Sequence, residues 1–258
     1  FKGHYGKTNI TGTDTTYIHE VVNILAKMSL RRMKKDVFKD MPPISFRTVA
    51  VEPKSDPLRG FPDLKKKVKA EMRVIQERQE MGLFDLPDDK VLDTVKFLSP
   101  SISSLRRYHG LQKAVAASEI IGQELVDHAY NKIVIFAHHS DVIAVLKEQL
   151  QQFNPASVPG SKLNQKAEVD KFQTDPKCRV FLGKILAAGT AHTLTAAHQV
   201  AFVERDWVPG NNQQAAMRVH RVGQTLPVTV RDFSLPGFDE RLSQILARKA
   251  QEISSFII

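Results

Sequence analysis

The sequence predicts an α/β fold built on a parallel sheet. Two observations carry that expectation. Ile133-Val134-Ile135-Phe136-Ala137 is a continuous apolar run, which suits a strand covered on both faces. From there to the C-terminus, strand-like and helix-like stretches alternate with short loops, the pattern of repeated βα units.

The elements follow in order. Residues 1–16 are polar and rich in Gly and Thr, and read as irregular. A helix is predicted over 17–38, where Ile18, Val21, Val22, Leu25 and Met28 recur at helical spacing. Asp40-Met41-Pro42-Pro43 ends it, because proline cannot continue the hydrogen-bond ladder. Phe46 to Val51 reads as a strand on its β-branched Thr48, Val49 and Val51. Residues 60–81 read as a strongly charged helix, Gly82 to Asp89 as a break, and 104–128 as a second long helix. After the apolar run come helices over 140–152 and near 164–173, and strands over 179–183 and 198–203. A helix over 211–222, a strand over 228–233 and a last helix over 238–254 complete the pattern. Ligands of such sheets bind at the carboxyl ends of the strands. The loops after Ala137, Gly183 and Val203 are therefore where chemistry is expected.

Composition narrows the function classes. The chain has 258 residues and a formal net charge of +9, which fits a polyanionic partner. Residues 1–113 hold 22 Lys/Arg against 14 Asp/Glu, and the remainder 15 against 14. The positive field therefore lies in the first part, in a cluster from Lys27 to Lys39 and in Lys65-Lys66-Lys67-Lys69. The second cluster equally fits a solvated helix face. No apolar run approaches the roughly 18 residues that span a membrane, and residues 1–16 lack the apolar stretch of a signal peptide. Cys178 is the single cysteine, so no internal disulfide framework and no cysteine-based zinc site is expected. His192, His198 and His220 lack companions at zinc-like spacing. A reducing, cytosolic setting is the default expectation, with the protein cytoplasmic (bacterial, phage or nucleoid-associated) or nuclear and not secreted.

The sharpest feature runs from Gln213 to Gln224. Pro209-Gly210-Asn211-Asn212 precedes it as a turn with good N-cap residues, and Gly223 can end a helix at positive φ. Within a helix, Gln214, Arg218 and Arg221 share one face, beside a small apolar stripe of Ala215, Val219 and Val222. Two guanidiniums on one anchored face suit phosphate oxygens, which the planar fork binds in pairs. The same spacing also describes an ordinary amphipathic helix with two surface arginines.

This stretch resembles the last helicase motif of the SNF2 family, Gln-Ala-x-x-Arg-x-His-Arg-x-Gly-Gln, at every fixed position from Gln214 to Gln224. Ala187-Ala188-Gly189-Thr190 with Leu194-Thr195-Ala196-Ala197 resembles the fifth motif of that family, and Asp206-Trp207-Val208-Pro209 the segment joining the two. Lys132 to Ala137 followed by His138-His139 resembles the fourth motif. Leu30 to Val37 with Met41-Pro42 is similar to the link between the two lobes of the family. Gly110-Leu111-Gln112-Lys113 and Phe136-Ala137-His138-His139 suggest the distant branch that contains annealing helicases. Ala191-His192 and Ala216-Met217 depart from the pattern of the family, as does Asn164-Gln165.

The resemblance implies a RecA-like (P-loop NTPase type) parallel sheet with helices on both faces, a helical insertion and an N-terminal linker helix. It divides the chain into 1–45, the end of a first lobe with the inter-lobe link, and 46–258, the second lobe with an insertion at about 56–104. Arg218 and Arg221 would reach the terminal phosphates of ATP, with Gln214, Gly189 and Thr190 on the nucleotide side. His138, His139, Lys162, Lys184, Thr195 and Trp207 are the implied DNA contacts. ATP and Mg2+ belong to the two-lobe enzyme, and none is expected on this chain alone. Gly6-Lys7-Thr8 is no phosphate loop, because Phe1 stands where the motif needs glycine, and no Asp-Glu-x-His box occurs. Implied partners are double-stranded DNA and an N-terminal RecA-like lobe of the same protein, with no membrane and a monomeric state. A nucleic-acid-binding module without catalysis, or a protein-interaction domain docking through 60–81, are the alternatives.

Overall fold

The computed structural model describes residues 17–28, 38, 40–52, 63, 66, 70, 73, 99–158, 164–188, 192–206 and 208–236. The readings for 1–16, for most of 60–81, for 82–89, for the basic run 29–37 and for the last helix over 238–254 lie outside them.

Six parallel strands form one sheet: β1 (Ile44–Ala50), β2 (Ile133–Ala137), β3 (Ala156–Val158), β4 (Val180–Lys184), β5 (Gln199–Phe202) and β6 (Val228–Ser234). Their spatial order is β1-β6-β5-β2-β4-β3. The helices whose bounds fall among the described residues are α1 (Ile18–Met28), α2 (Ser99–Val126), α3 (Ser140–Gln149), α4 (Gln165–Thr174), α5 (Ile185–Ala188) and α6 (Pro209–Ala216). The short strand β3 and the single turn α5 have no counterpart in the sequence reading. The helix expected over 140–152 is α-helical to Gln149 and then tightens into one 3₁₀ turn over Gln151–Phe153. Asn154 follows in the left-handed region (φ 51) and turns the chain toward β3.

All five residues of β2 are buried. Side chains alternate along a strand, so Ile133, Ile135 and Ala137 enter one core layer while Val134 and Phe136 enter the other. The first layer is closed by Leu111, Ala114, Ile121 and Leu125 of α2 and by Val142 and Leu146 of α3. The second is closed by Phe172 of α4, Phe181 of β4, and Ala215 and Val219 of the chain after β5. Helices therefore cover both faces, as expected.

Polar ties lock the sheet at its other end. The Arg179 guanidinium donates to the carbonyls of Leu125, Tyr130 and Asn131 at 2.8, 2.9 and 2.9 Å, closing the C-terminal end of α2. On β6, Arg231 grips both carboxylate oxygens of Glu124 at 2.6 and 2.8 Å, and the Tyr130 hydroxyl donates to the same carboxylate at 2.6 Å. Burial and that anionic partner push the Tyr130 hydroxyl pKa well above its ordinary value. The Lys132 ammonium donates to the carbonyls of Phe172 and Asp175, joining the start of β2 to the end of α4.

Phe136 has no exposed surface and stacks obliquely on Phe202 with ring centroids 5.4 Å apart. Truncation to Ala is expected to cost about 3–5 kcal/mol of unfolding free energy in a denaturant titration, leaving the far-UV spectrum at low denaturant unchanged.

Candidate functional site

Because all six strands are parallel, their carboxyl ends share one rim of the sheet. The chain leaves β2 toward β3 and β4 on one side, then crosses from β4 to β5 on the other side of β2. The carboxyl ends of β2 and β5 thus flank the crevice where such sheets hold ligands. His138 and His139 follow β2 there, and Glu204, Arg205 and Asp206 follow β5.

Glu204 organises this point. Its Oε2 accepts the backbone N–H groups of His138 and His139 at 2.9 and 2.8 Å, and its Oε1 meets His139 Nδ1 at 2.6 Å. Burial alone raises its pKa, but the His139 ring and the two amides outweigh burial and hold the carboxyl below its ordinary value. His139 is the N-cap of α3 and makes no side-chain cap of its own, so the buried anion sits where the helix dipole favours it. His138 lies with Nδ1 3.7 Å from Asp206 Oδ2. Burial first, then the charges of Arg106 and His139, lower its pKa. The Arg106 guanidinium donates to the Arg205 carbonyl, and Arg107 pairs with Asp141 of α3, so α2 backs the whole turn.

Asp206 is a second organiser. Its Oδ1 accepts the Val208 N–H at 2.8 Å and the Asn211 amide at 3.1 Å. Its own N–H donates to Asn212 Oδ1 at 2.7 Å, and the Asn212 amide returns to the Asp206 carbonyl at 2.8 Å. These bonds start α6 at Pro209, two residues before the expected 211.

The helix then ends at Ala216, not at 222. Past Met217 the next two N–H groups turn to carbonyls three residues back instead of four, Arg218 to Ala215 and Val219 to Ala216, both at 3.1 Å. The Arg218 carbonyl, which Val222 would need in a continuing helix, accepts the Leu194 N–H at 2.9 Å instead. Arg218 and Arg221 therefore project from a compact turn, and the shared helical face with Gln214 does not form. The expected apolar stripe is also cut: Ala215 and Val219 are buried, but Val222 is 63% exposed.

Within this turn the motif residues separate by task. Gln224 is buried and its amide donates to the carbonyls of Ala197 (2.7 Å), Thr195 (3.3 Å) and Val219, while its oxygen accepts the N–H groups of Thr225 and Leu226. His220 is buried with Nε2 2.7 Å from the Pro42 carbonyl, just before β1. Gly223 takes φ +98, a conformation that L side chains rarely adopt. Gln214 and Arg221 are exposed, and Arg218 is half-buried. Burial, and secondarily the neighbouring Arg221 charge, lower the Arg218 pKa. Burial and the Arg218 charge likewise lower that of His192, whose Nε2 lies 3.2 Å from Gln165 Oε1.

Of the other expected contacts, Lys184 ends β4 half-buried, in register with Ala137 of β2. The Thr195 hydroxyl accepts the Gln173 amide at 3.4 Å, and the Gln173 oxygen accepts the Ala196 N–H at 3.0 Å. Thr195 is thus held in an internal bracket. Lys162, Gly189, Thr190 and Trp207 lie outside the described residues. Glu204 and the His220–Pro42 contact were missed from sequence; an acidic residue closing an apolar strand beside the histidine pair was the signal for the first. Among the described residues, no group of three or more His, Cys, Asp and Glu could hold a metal ion, and no helix is long and apolar enough to cross a membrane.

The chain is similar to known proteins in sequence and in fold. The helicase conserved C-terminal domain matches residues 116–223. The mouse (Mus musculus) DNA annealing helicase and endonuclease ZRANB3 is 29% identical over 245 residues, 92% of this chain and 21% of the relative. A Caenorhabditis elegans homologue of the SWI/SNF-related matrix-associated actin-dependent regulator of chromatin subfamily A-like protein 1 is 30% identical over 236 residues, 89% of this chain and 31% of the relative. The chain thus spans between about a fifth and a third of the length of these curated relatives. Among solved structures, the SWI2/SNF2 ATPase core of Sulfolobus solfataricus in complex with dsDNA superposes with a TM-score of 0.57 at 21% identity, over 93% of this chain and 52% of that one. The C-terminal part of the Fun30 ATPase domain superposes with a TM-score of 0.54 at 17% identity, over 80% of this chain and 90% of that one. The fold is the RecA-like lobe of these proteins.

Replacing Gln224 with Ala would leave the carbonyls of Thr195 and Ala197 and the N–H groups of Thr225 and Leu226 without this partner. The expected loss is about 2–3 kcal/mol of stability, read as a lowered thermal midpoint.

Proposed function

We propose that this chain, a C-terminal helicase lobe of the SNF2 type, works as the second half of an ATP-dependent translocase on double-stranded DNA. Residues 46–258 form that lobe, with an insertion at about 56–104, and residues 1–45 carry the end of a first lobe and the link to it. The observation that carries the reading is the Arg218–Arg221 turn. The Arg221 charge lies close enough to perturb the half-buried Arg218, on a turn pinned from behind by Gln224. Two clustered guanidiniums favour an anionic ligand. Polyphosphate is the anion such planar forks suit best.

In this reading ATP lies in a cleft between the two lobes. Arg218 and Arg221 meet its terminal phosphates, where transfer spreads negative charge over the equatorial oxygens. Gln214, Gly189 and Thr190 complete the nucleotide side. Mg2+ and the attacking water are handled by the acidic box of the first lobe, which this chain lacks. The chain therefore has no ATPase activity by itself. Closure around ATP and opening after hydrolysis shift the lobes along DNA.

DNA is held by its phosphates, without base readout. His138, His139, Lys184, Lys162, Thr195 and Trp207 are the contacts proposed. The relatives that carry DNA in their names and titles, and the +9 charge, support a nucleic-acid partner. The Thr195 hydroxyl accepts the Gln173 amide and keeps its own hydrogen for a phosphate oxygen.

Two outcomes test this. Paired with a matching first lobe, Arg218→Ala is expected to lower kcat by on the order of 10³ with a smaller change in KM, and the chain alone to give no DNA-stimulated hydrolysis. Unchanged turnover in the variant would sink the arginine assignment. For the DNA surface, filter binding of this chain should weaken steeply between low and high salt; affinity indifferent to salt rules out phosphate-dominated contact.

A further inference from the structure

We infer that Glu204 is a positioning residue, which fixes the tautomer and aim of the His139 ring on the turn after β2 and thereby makes its contact with a DNA phosphate depend on taking up a proton. The DNA half of this inference rests on the reading of His138 and His139 as DNA contacts given above. The tautomer half rests on geometry alone.

The Glu204 side chain is only 4% exposed, and both of its oxygens are engaged by the turn. An ionised carboxylate accepts hydrogen bonds and cannot donate. The hydrogen in the 2.6 Å contact must therefore belong to His139 Nδ1. In the neutral ring, Nε2 then carries no hydrogen and is an acceptor. A phosphate oxygen is also an acceptor, so the neutral ring offers it nothing. Only when a second proton binds at Nε2 does the ring become a donor on that side.

The seat of Glu204 is enforced from α2. A Cβ placed on Gly110 would lie 2.5 Å from Glu204 Oε1 and 2.9 Å from Val142 Cγ2. The absent side chain at Gly110 is what lets helix, carboxylate and turn meet. Among the described residues, the charged and titratable groups on the elements around this turn are Arg106, Arg107, His109 and Lys113 of α2, His138 of the turn, Asp141 of α3, Lys184 at the end of β4, and Arg205 and Asp206 beyond β5. Arg107 and Asp141 pair with each other, Arg205 with Asp232, and Asp206 binds the start of α6. Glu204 is left as the anion bonded to the His139 ring.

Glu204→Gln separates the alternatives. The Gln oxygen must still accept the two backbone N–H groups, which turns its amide N–H toward His139 Nδ1 and selects the ring with hydrogen on Nε2. Imidazole nitrogen NMR of the wild-type chain is expected to show neutral His139 with hydrogen on Nδ1, and of the variant on Nε2. On acidification, duplex affinity of the wild-type chain should tighten several-fold more than that of Glu204→Gln. A purely structural role predicts parallel pH profiles. Wild-type His139 with its neutral hydrogen on Nε2 overturns the inference, and this measurement decides even where the variant fails to fold. Equal pH gains in the two proteins overturn the DNA half. His139→Ala with wild-type affinity overturns the DNA-contact reading itself, and leaves an Nδ1–H result for Glu204 standing.

Discussion

Gln224 is the constraint on which the arginine turn depends. One carboxamide reaches the carbonyls of Thr195, Ala197 and Val219 and the amides of Thr225 and Leu226. It therefore fastens the segment before β5, the turn after α6 and the entry to β6 to a single buried point. A side chain that satisfies five backbone groups at once has little freedom, and neither have the residues that present them. The backbone of Arg218 inherits that rigidity, because its carbonyl is tied to Leu194 in the same layer. Arg221 is exposed and Arg218 half-buried, while Val219, His220 and Gln224 fill the buried side of the turn.

The sheet gives this turn its address. Parallel strands put every carboxyl end on one rim, and the order β1-β6-β5-β2-β4-β3 places the crossover between β2 and β5. Two acidic residues, Glu204 and Asp206, close β5 and are both used to start helices, one at α3 and the other at α6. Loops that would otherwise wander are thus held by buried carboxylates at helix N-termini, where dipole and amides favour an anion. His220 extends the same economy across the domain by binding the Pro42 carbonyl, next to the start of β1.

Much of the fold was legible. Ile133 to Ala137 read as a strand covered on both sides, because a run apolar at every position leaves neither face of a strand for water, and all five residues are buried. Within the helix read over 104–128, Leu111, Ile121 and Leu125 recur at helical spacing and are buried in α2. What escaped were elements too short to carry a period: three residues in β3, four in α5. The expected helix over 211–222 failed for a different reason. Its local pattern is helical, but the chain tightens to bonds three residues back after Met217, and the Arg218 carbonyl that Val222 would need is taken by Leu194, a residue distant along the chain.

The sequence by itself determined the class of fold, the order of most of its elements and the identity of the Gln214–Gln224 motif, since these rest on periodicity and on residue type at fixed spacing. Tertiary structure alone decided which members of that motif face inward. His220 and Gln224 look as polar on paper as Arg218 and Arg221, yet the first two are buried because backbone groups from remote segments are there to bond them. Burial of a polar group is settled by its partners, and partners across the fold are what a linear sequence does not display.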